Sequence, residues 1–349
     1  MKRIASRVLL LILSVCSLFG VTAVFAQEAP RRSIEEIADG VYRAMNNFHG
    51  TVFMVTDEGI IVVDPLRPDF AEWLKAEFDT RFGVPVRYVI YSHHHGDHAS
   101  GGAVFADTAK FVGHANMLNH LAMPDPETRL TDVIGQQSPI AALDTDGDDV
   151  ISREEGESIG PLMVFADFDE DENGEINGAE LMRGPIGRVH PPTITYSDRI
   201  QIELGGERVR MEWLGEFNHS FDSSMISFPD ASVLFLVDAV TFSRLPHTEM
   251  DYELGMYEEW MAVIRRTEEV SKDFEYVATG HGPMGTSENV TEWREYFEAL
   301  EAAVAGGIEA GEPLEQMMET IELPEYDHWA SYDAWLPLNV LGMYHFLTD

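Results

Sequence analysis

An eight-residue stretch, YSHHHGDH at residues 91–98, holds five side chains within six positions that can bind a metal ion. His93 and His95 are two residues apart, so in an extended segment their imidazoles point to the same side and can reach one cation. The glycine that follows permits a tight turn, which brings Asp97 and His98 towards a second cation near the first. The residue types and their spacing therefore predict a site for a pair of metal ions.

The spacing His-x-His-x-Asp-His resembles the signature of the metallo-β-lactamase superfamily. The resemblance implies an αββα sandwich and a metal-dependent hydrolase, and the rest of the family's pattern can be found in this sequence. Single polar residues follow apolar, strand-like runs, where loops gather at one edge of a layered sheet. By resemblance, the first metal is held by His93, His95 and His219, the second by Asp97, His98 and His281, and Asp238 bridges the two. Asp64 would orient one of these ligands from behind, and a turn aspartate before Pro65 is the rival interpretation.

The cysteine content narrows the type of site. The only cysteine is Cys16, in the N-terminal segment, so the cysteine ligand of some β-lactamases of this family is absent. A carboxylate bridge at Asp238 makes the predicted site more similar to those of glyoxalase II and the lactonases. Imidazole and carboxylate ligands without thiolate suit zinc, with iron and manganese as alternatives. Flavodiiron members of the family carry glutamate where this chain has His95, which argues against iron, so we expect two Zn²⁺ per chain.

The implied reaction is hydrolysis of an ester-like bond in a small-molecule substrate. Two cations lower the pKa of a shared water from about 15.7 to roughly 7, and Asp97, as the catalytic residue, can accept a proton from it. Candidate substrates are lactones, thioesters and β-lactams, in that order, with phosphodiesters and sulfate esters ranked lower. A mononuclear iron persulfide dioxygenase, in which His98 and His281 have no ligand role, is one alternative. A non-catalytic calcium-dependent binding protein is another, but it would normally have lost some ligands.

Two twelve-residue segments in the middle of the chain place oxygen-bearing side chains at alternate positions. This is the pattern of EF-hand calcium loops, in which position 7 offers its backbone carbonyl and the last glutamate binds through both oxygens. The first loop would use Asp144, Asp146, Asp148, Val150, Ser152 and Glu155, and the second Asp169, Asp171, Asn173, Glu175, Asn177 and Glu180. The second loop matches fully. The first has Asp149 where glycine usually makes the sharp turn at position 6, so its site is expected to be weaker.

The two loops predict a compact insert that binds up to two Ca²⁺. From Asp144 to Glu180 there are 14 acidic residues and one arginine, so the carboxylates repel one another until calcium binds. We expect calcium to fold the insert and to serve a chiefly structural role. The insert interrupts the chain between the His93 motif and the strands that lead to His219, where related enzymes carry segments over the pocket. It is therefore expected to form part of the pocket wall.

The N-terminus predicts export. Lys2, Arg3 and Arg7 give a positive start, residues 8–24 an apolar core, and the sequence up to Ala26 a small-residue cleavage site. An uncleaved anchor is the alternative, since the apolar run is nearly long enough to span a bilayer. We expect a periplasmic or secreted protein with no stable membrane association after cleavage.

The overall charge excludes one class of partner. Asp and Glu number 61 against 23 Lys and Arg, which gives a net charge of −38. Nucleic-acid binding is disfavoured, because contacts to phosphate require positive charge. A strongly acidic surface is also typical of proteins that stay soluble in salty surroundings.

These patterns predict an α/β protein, an αββα sandwich with an inserted helical EF-hand pair. The predicted segments are a signal peptide at 1–26, the two halves of the catalytic domain at 27–135 and 188–305, the insert at 136–187, and an aromatic-rich C-terminal extension at 306–349. Periodicity predicts a hairpin at 51–55 and 60–63, a helix at 68–82, a strand at 86–91, an antiparallel group at 194–196, 200–204 and 209–213, a strand pair at 225–228 and 233–237, and helices at 253–270 and 286–304. The C-terminal aromatics are expected to pack in the core or as a docking surface, with a wall of the pocket as the alternative. No role is predicted for His49, His94, His114, His120, His190, His247, His328 and His345.

Overall fold

Two β-sheets and the helices that flank them make up the fold. The structure, a computed structural model, describes residues 30–133, 143–157 and 165–348. The chain divides at Pro30 into two units, and every element given below belongs to the unit that begins at Arg31. The predicted signal peptide lies outside the described residues. Among the residues described, no helix combines the length and the apolar character needed to cross a membrane.

The described strands form three sheets. In chain order they are β1 (Arg32–Ala38), β2 (Val41–Asn46), β3 (His49–Thr56), β4 (Gly59–Val63), β5 (Val86–Ile90), β6 (Lys110–His114), β7 (Ile151–Ser152), β8 (Glu175–Ile176), β9 (Ile194–Tyr196), β10 (Arg199–Leu204), β11 (Glu207–Trp213), β12 (Ser224–Phe228), β13 (Val233–Phe235) and β14 (Tyr276–Ala278). The first sheet has the order β1-β2-β3-β4-β5-β6-β9, the second β10-β11-β12-β13-β14, and β7 pairs with β8 alone.

The described helices are α1 (Pro68–Arg81), α2 (Gly96–Ala99), α3 (Met117–His120), α4 (Leu130–Val133), α5 (Arg153–Glu157), α6 (Phe165–Phe168), α7 (Gly178–Arg183), α8 (Tyr257–Ser271), α9 (Ser287–Ala310), α10 (Leu314–Thr320) and α11 (Tyr332–Thr348).

The apolar side chains of β4 explain the layering. Successive side chains of a strand point to opposite faces, and all five residues of β4 are buried. Ile60 and Val62 pack with the buried face of α1, whereas Ile61 and Val63 pack against the second sheet. On the far side of the second sheet, Leu234 packs with residues of α8, α9 and α11. The result is the predicted order of layers: helix, sheet, sheet, helix.

The predicted grouping of residues 194–213 is wrong for its first strand. β10 and β11 pair antiparallel as expected, but β9 pairs in parallel with β6 in the other sheet. The chain therefore returns to the first sheet after the insert and crosses to the second only at Arg199. An alternating pattern identifies a strand but does not say which sheet receives it.

The predicted helix at 253–270 begins too early. Residues Tyr252–Leu254 form a short 3₁₀ turn, and Met256 has a positive φ of 64°, so α8 begins only at Tyr257. Trp260 and Ile264 face the core as predicted, but Met256 precedes the helix. At the other end of the domain, Thr286 caps α9, and the helix continues to Ala310, past the predicted start of the C-terminal extension at residue 306.

The insert has a small core of its own. β7 and β8 pair antiparallel, so that Ile151 lies opposite Ile176. Both isoleucines are fully buried, together with Leu130 and partly exposed neighbours from α6 and α7. Asp149 and Gly174, at position 6 of the two predicted loops, both have positive φ, 73° and 90°. The two loops thus make the same sharp turn, although one has aspartate there.

The C-terminal aromatic segment packs into the core of the second sheet. Tyr326 and Trp329 are buried among residues of α9. Asn339 of α11 is fully buried, accepts a hydrogen bond from Tyr296 Oη (2.6 Å), and donates to the carbonyl oxygens of Pro246 (3.0 Å) and Thr248 (2.6 Å). These bonds fix the loop after Asp238 to the C-terminal helix.

Candidate metal centre

The carboxylate of Asp238 lies among four imidazoles. Its Oδ2 atom is 3.1 Å from Nε2 of His98, 3.4 Å from Nε2 of His219 and of His281, and 3.7 Å from Nε2 of His93. These residues lie in the segments that follow β5, β11, β13 and β14, with His98 in the short helix α2. Residues far apart in the sequence therefore meet around one carboxylate oxygen.

His95 and Asp97 also belong to the centre, His95 in the group with Asp238 and Asp97 beside His98 and His281. Ligand atoms of His93, His95, His219 and Asp238 lie within 4.8 Å of one another, as do those of His98, Asp238 and His281. Asp97 Oδ2 is 3.5 Å from Nε2 of His98 and of His281. The structure thus brings together all seven residues that the family resemblance assigns, with Asp97 grouped with His49 and His281. The division of the ligands between two ions stays a prediction.

His49 also reaches this centre, although no pattern in the sequence pointed to it. Its Nε2 atom is 3.4 Å from Asp97 Oδ2, and its ring lies 4.7 Å from that of His281. His49 is the first residue of β3 and forms an isolated bridge with His281, while the Gly50 N–H donates to the Gly280 carbonyl at 2.7 Å. Only this long-range pairing of backbones carries His49 to the site.

Asp64 lies behind two of the histidines. Its Oδ1 accepts a hydrogen bond from the Ser92 N–H (2.8 Å) and its Oδ2 accepts one from Ser92 Oγ (2.6 Å). Ser92 Oγ is 2.9 Å from Nδ1 of His93, and Asp64 Oδ2 is 3.6 Å from Nδ1 of His98. Burial raises the pKa of Asp64, against the hydrogen bonds of His98 and Ser92. Contacts on Nδ1 leave Nε2 of both rings directed at Asp238, which is the orienting geometry predicted for Asp64.

The electrostatics of the centre suit a divalent cation. Burial lowers the pKa of His95 to about 3 and holds that of His93 well below its usual value, and neighbouring imidazoles act in the same direction. Burial acts to raise the pKa of Asp238, but the charges of His281 and His98 hold it well below its usual range. Metal ligands must be neutral imidazoles and ionised carboxylates. The shifts of His93, His95 and Asp238 favour that state. His98 is the exception, because the carboxylates of Asp238 and Asp97 raise its pKa well above its usual value against the effect of burial.

One buried oxygen also calls for a ligand. Asp238 Oδ1 is buried and has no hydrogen-bond partner among the described residues. A Cβ atom at Gly280 would lie 2.5 Å from this oxygen, so only glycine lets the chain pass so close. An unpaired buried carboxylate oxygen is costly. Together with the surrounding imidazoles, it fits a pair of metal ions.

The insert packs directly on the metal-binding loop. Gly96 lies between His95 and Asp97, and a Cβ atom there would lie 2.2 Å from the Pro185 carbonyl oxygen. Arg67, immediately before α1, forms an ion pair with Asp167 of α6. The segment around Pro185, which follows the second predicted calcium loop, therefore packs on the outer side of the loop that carries His95 and Asp97.

Replacing Gly96 by alanine is expected to displace this loop. Because the added methyl group meets a backbone carbonyl, we expect a loss of stability of about 1–3 kcal/mol and a weaker hold on the metal ions. Denaturant unfolding and metal analysis after dialysis would measure both. Gly306→Ala is the matched control, since its Cβ meets nothing within 4 Å inside α9, and it should gain roughly 0.5–1 kcal/mol. Full metal retention in Gly96→Ala would show that this contact does not position the ligands.

A cavity of about 420 Å³ opens onto the centre. His95, Asp97, His219, Asp238 and His281 line one side of it, and aromatic residues Trp260, Trp293 and Trp335 line another. Trp335 belongs to α11, so the C-terminal extension forms part of the wall. No described residue of the insert lines the cavity. The expectation that the insert forms this wall therefore fails for the residues described, and the C-terminal helix takes that place.

A second histidine cluster lies beside the centre. His94 Nδ1 is 2.9 Å from Asp222 Oδ1, and His120 Nε2 is 3.9 Å from the same oxygen. The two rings are stacked, with centres 3.8 Å apart and planes 2° apart. A metal ion lies close to the plane of each imidazole that binds it, and parallel stacked rings share no such point. In this arrangement the cluster holds the outer side of the 93–98 motif in place and does not form a site for a third metal ion.

Comparison with known proteins agrees with the fold. The sequence profile described as "Metallo-beta-lactamase superfamily" matches residues 46–281. A metallo-beta-lactamase from Pontibacter korlensis is 15% identical over 75% of this chain and 96% of its own, with a TM-score of 0.50. A stereoselective inverting sec-alkylsulfatase from Pseudomonas sp. is 16% identical over 90% of this chain, with a TM-score of 0.60, and this chain spans 50% of that protein. At these identities the structural likeness concerns the fold alone.

The fold and the convergent histidines and carboxylates define a metallo-hydrolase. The chain belongs to the metallo-beta-lactamase superfamily, as the match over residues 46–281, more than half of the chain, shows.

Proposed function

We propose that this chain is an exported hydrolase that uses a dinuclear zinc site to activate water against an ester-like bond, as in a lactone, thioester or β-lactam. The observation that carries the proposal is the position of Asp238 Oδ2, within 3.7 Å of four imidazole Nε2 atoms. A shared carboxylate without a thiolate supports the glyoxalase II and lactonase type of site. Export rests on the N-terminal sequence alone.

The residues of the site have separate roles in the proposed reaction. Bound zinc ions would lower the pKa of water to roughly 7 and polarise the carbonyl of the substrate. Asp97 is the more exposed of the two carboxylates of the centre that line the cavity, since its side chain is 29% exposed against 8% for Asp238. It is therefore the residue we expect to accept the proton from the attacking water. Ser92 and Asp64 hold His93 and His98 in orientation, and the tryptophan wall keeps bulk water from the reacting bond.

The contacts of His98 and His281 bear on the alternatives. A mononuclear iron persulfide dioxygenase would leave both without a ligand role, yet both lie within 3.4 Å of Asp238 and His98 is oriented by Asp64. A non-catalytic binding protein is disfavoured because all seven predicted ligands are present. Sulfate esters belong among the substrates to test, because one protein of similar fold is described as an alkylsulfatase.

The insert is proposed to bind up to two calcium ions. In the second loop, Asp169 Oδ1 is buried without a hydrogen-bond partner among the described residues, and Asp169 Oδ2 accepts a hydrogen bond from the Gly174 N–H at 3.2 Å. In the first loop, Asp144 Oδ2 accepts from the Asp149 N–H at 3.2 Å. Asp144, Asp146 and Glu155 each direct one oxygen to a point where these atoms lie within 4.8 Å of one another. The shared loop geometry and the β7–β8 pair support an EF-hand pair.

Metal analysis of the mature protein, followed by a substrate panel, tests the proposal. We expect about two zinc ions per chain, and hydrolysis of at least one member of a panel of lactones, thioesters, β-lactams and sulfate esters. Hydrolysis should be lost on zinc removal and restored by adding zinc back. One iron ion with no second transition metal would contradict the dinuclear assignment and favour the dioxygenase.

A further inference from the structure

Arg244 is a cation in the wall of the cavity. It lines the same cavity as Asp97, Asp238 and His281. Its guanidinium carbon lies 4.4 Å from the ring centre of Phe48 and 4.3 Å from that of Trp335. Among the residues that the structure describes, Arg244 has no ion pair, and its Nε atom is buried without a hydrogen-bond partner.

The aromatic contacts do not satisfy the polar groups of this side chain. A guanidinium packs on an aromatic ring through its face, whereas its five N–H donors point outward in its plane. Burial lowers the pKa of Arg244 from its usual value, and an unpaired, partly buried N–H donor is costly. The ring contacts thus fix the guanidinium in place and leave its donors for a partner from outside the described chain.

The position of Phe48 relates Arg244 to the metal centre. The Phe48 ring is stacked on the His281 ring, with centres 5.2 Å apart. One phenyl ring therefore separates the guanidinium from a ligand of the metal centre. A ligand that reaches both needs only a short spacer between its charged group and the bond to be cleaved.

Arg244 is the only arginine or lysine among the described residues that line the cavity, so an anionic group of a ligand would be drawn to this point. Asp251 also lines the cavity, but its residue is exposed and forms no ion pair with Arg244. Leu245, Trp260 and Trp293 give the same cavity apolar surface, alongside the polar side chains of Asn218, Thr241 and His247. Guanidinium groups bind planar oxyanions through two parallel hydrogen bonds. In an apolar surrounding such bonds are stronger than in water.

We propose that Arg244 binds an oxyanion of the substrate, and that the substrate class is an organic acid with an apolar body and an ester-like bond a short distance from its charged group. The proposal that the substrate carries an ester-like bond rests on the proposed hydrolase function. The anion subsite itself rests only on Arg244 and the walls around it. It makes the enzyme selective for negatively charged over neutral esters of equal size.

Two matched esters test the selectivity. The nitrophenyl monoester of glutarate carries a carboxylate where nitrophenyl pentanoate carries a methyl group. We expect wild type to prefer the glutarate ester in kcat/KM, and Arg244→Met to reduce that preference by about tenfold or more, the effect of losing a charge-assisted hydrogen bond. Arg244→Lys keeps the charge but not the planar fork, so it should retain part of the preference. Arg208→Met is the control, since Arg208 is ion-paired with Asp230 on the exposed surface, and it should leave the preference unchanged.

A binding measurement separates the two proposals. Pentanesulfonate has no bond to hydrolyse, and calorimetry should detect its binding to wild type and a loss of about tenfold or more in Arg244→Met, with melting curves confirming that the variant is folded. Arg244-dependent sulfonate binding without any ester hydrolysis would support the subsite and reject the hydrolase. Hydrolysis of both esters with an equal preference in wild type and Arg244→Met would reject the subsite and leave the hydrolase in place.

Discussion

Asp238→Ala is expected to reduce the transition-metal content from two ions to at most one and to lower kcat by at least about a hundredfold, the size of effect that loss of one charge-stabilising group commonly has. Among the residues that the structure describes, Asp238 contributes the only carboxylate that lies near all of His93, His98, His219 and His281. Without it, two cations would lie close together with no anion between them. The second ion is then held by imidazoles and Asp97 alone against the repulsion of the first.

Metal analysis and steady-state kinetics on the best substrate of the panel would measure this effect. Asp230→Ala is the matched control, because Asp230 lies at the far end of the strand pair β12–β13 and contacts only Arg208 at the surface. It should keep two metal ions and full activity. Unchanged metal content and turnover in Asp238→Ala would show that Asp238 is not the bridge.

The ligands within residues 93–98 could be predicted from the sequence itself. The ligands that lie far from this stretch in the sequence could be predicted only through the family resemblance. His93, His95, Asp97 and His98 are fixed by spacing and by the strand before them, so their chemistry is readable in one stretch of chain. His219, Asp238 and His281 show only as polar residues after apolar runs. His49 gives no such signal, because an isolated backbone bridge to His281 brings it to the site.

The errors in the fold have the same origin. Residues 194–196 have the alternation of a strand, but their partner, β6, precedes the insert in the chain, and nothing local specifies a parallel pairing across that distance. Met256 has the spacing of a helical core residue, yet Gly255 and the turn before it delay the helix. Trp335 belongs to an aromatic pattern that predicts packing, and only the tertiary structure directs this ring to the cavity.

Calcium is expected to stabilise the whole catalytic unit, because the insert adjoins the metal-binding loop. The carboxylate of Glu180 accepts hydrogen bonds from the N–H groups of Glu170 and Asn177, both at 3.0 Å. Glu180 lies in α7, and the chain after α7 leads to Pro185, which packs against Gly96. The ion pair between Arg67 and Asp167 joins the same surfaces. The insert's acidic residues repel one another, so its packing against Gly96 should depend on the positive charge of the ions.

Glu180→Gln should therefore weaken calcium binding and lower the melting temperature. A ligand that binds only the folded state stabilises it by about 2.7 kcal/mol per site at a roughly hundredfold excess over Kd. In a domain of this size each kcal/mol corresponds to roughly 2–4 °C, so a drop of several degrees is expected in calcium buffer. Zinc content should survive, since none of its seven predicted ligands lies in the insert, whereas activity should fall as the support of Gly96 loosens.

Glu175→Gln is the matched control, because position 7 of an EF-hand loop binds calcium through its backbone carbonyl and the Glu175 residue is exposed. It removes the same single charge and should keep the calcium affinity and melting temperature of wild type. Melting curves would be recorded in calcium and after a calcium chelator, with calcium or zinc then added back, to separate the effects of the two metals. In wild type and Glu175→Gln, only calcium should restore the stability that the chelator removes. In Glu180→Gln, calcium should restore little of it. If the chelator shifts none of the three proteins, these loops do not hold calcium in the folded state, and the packing of Pro185 on Gly96 is maintained by the apolar core of the insert alone.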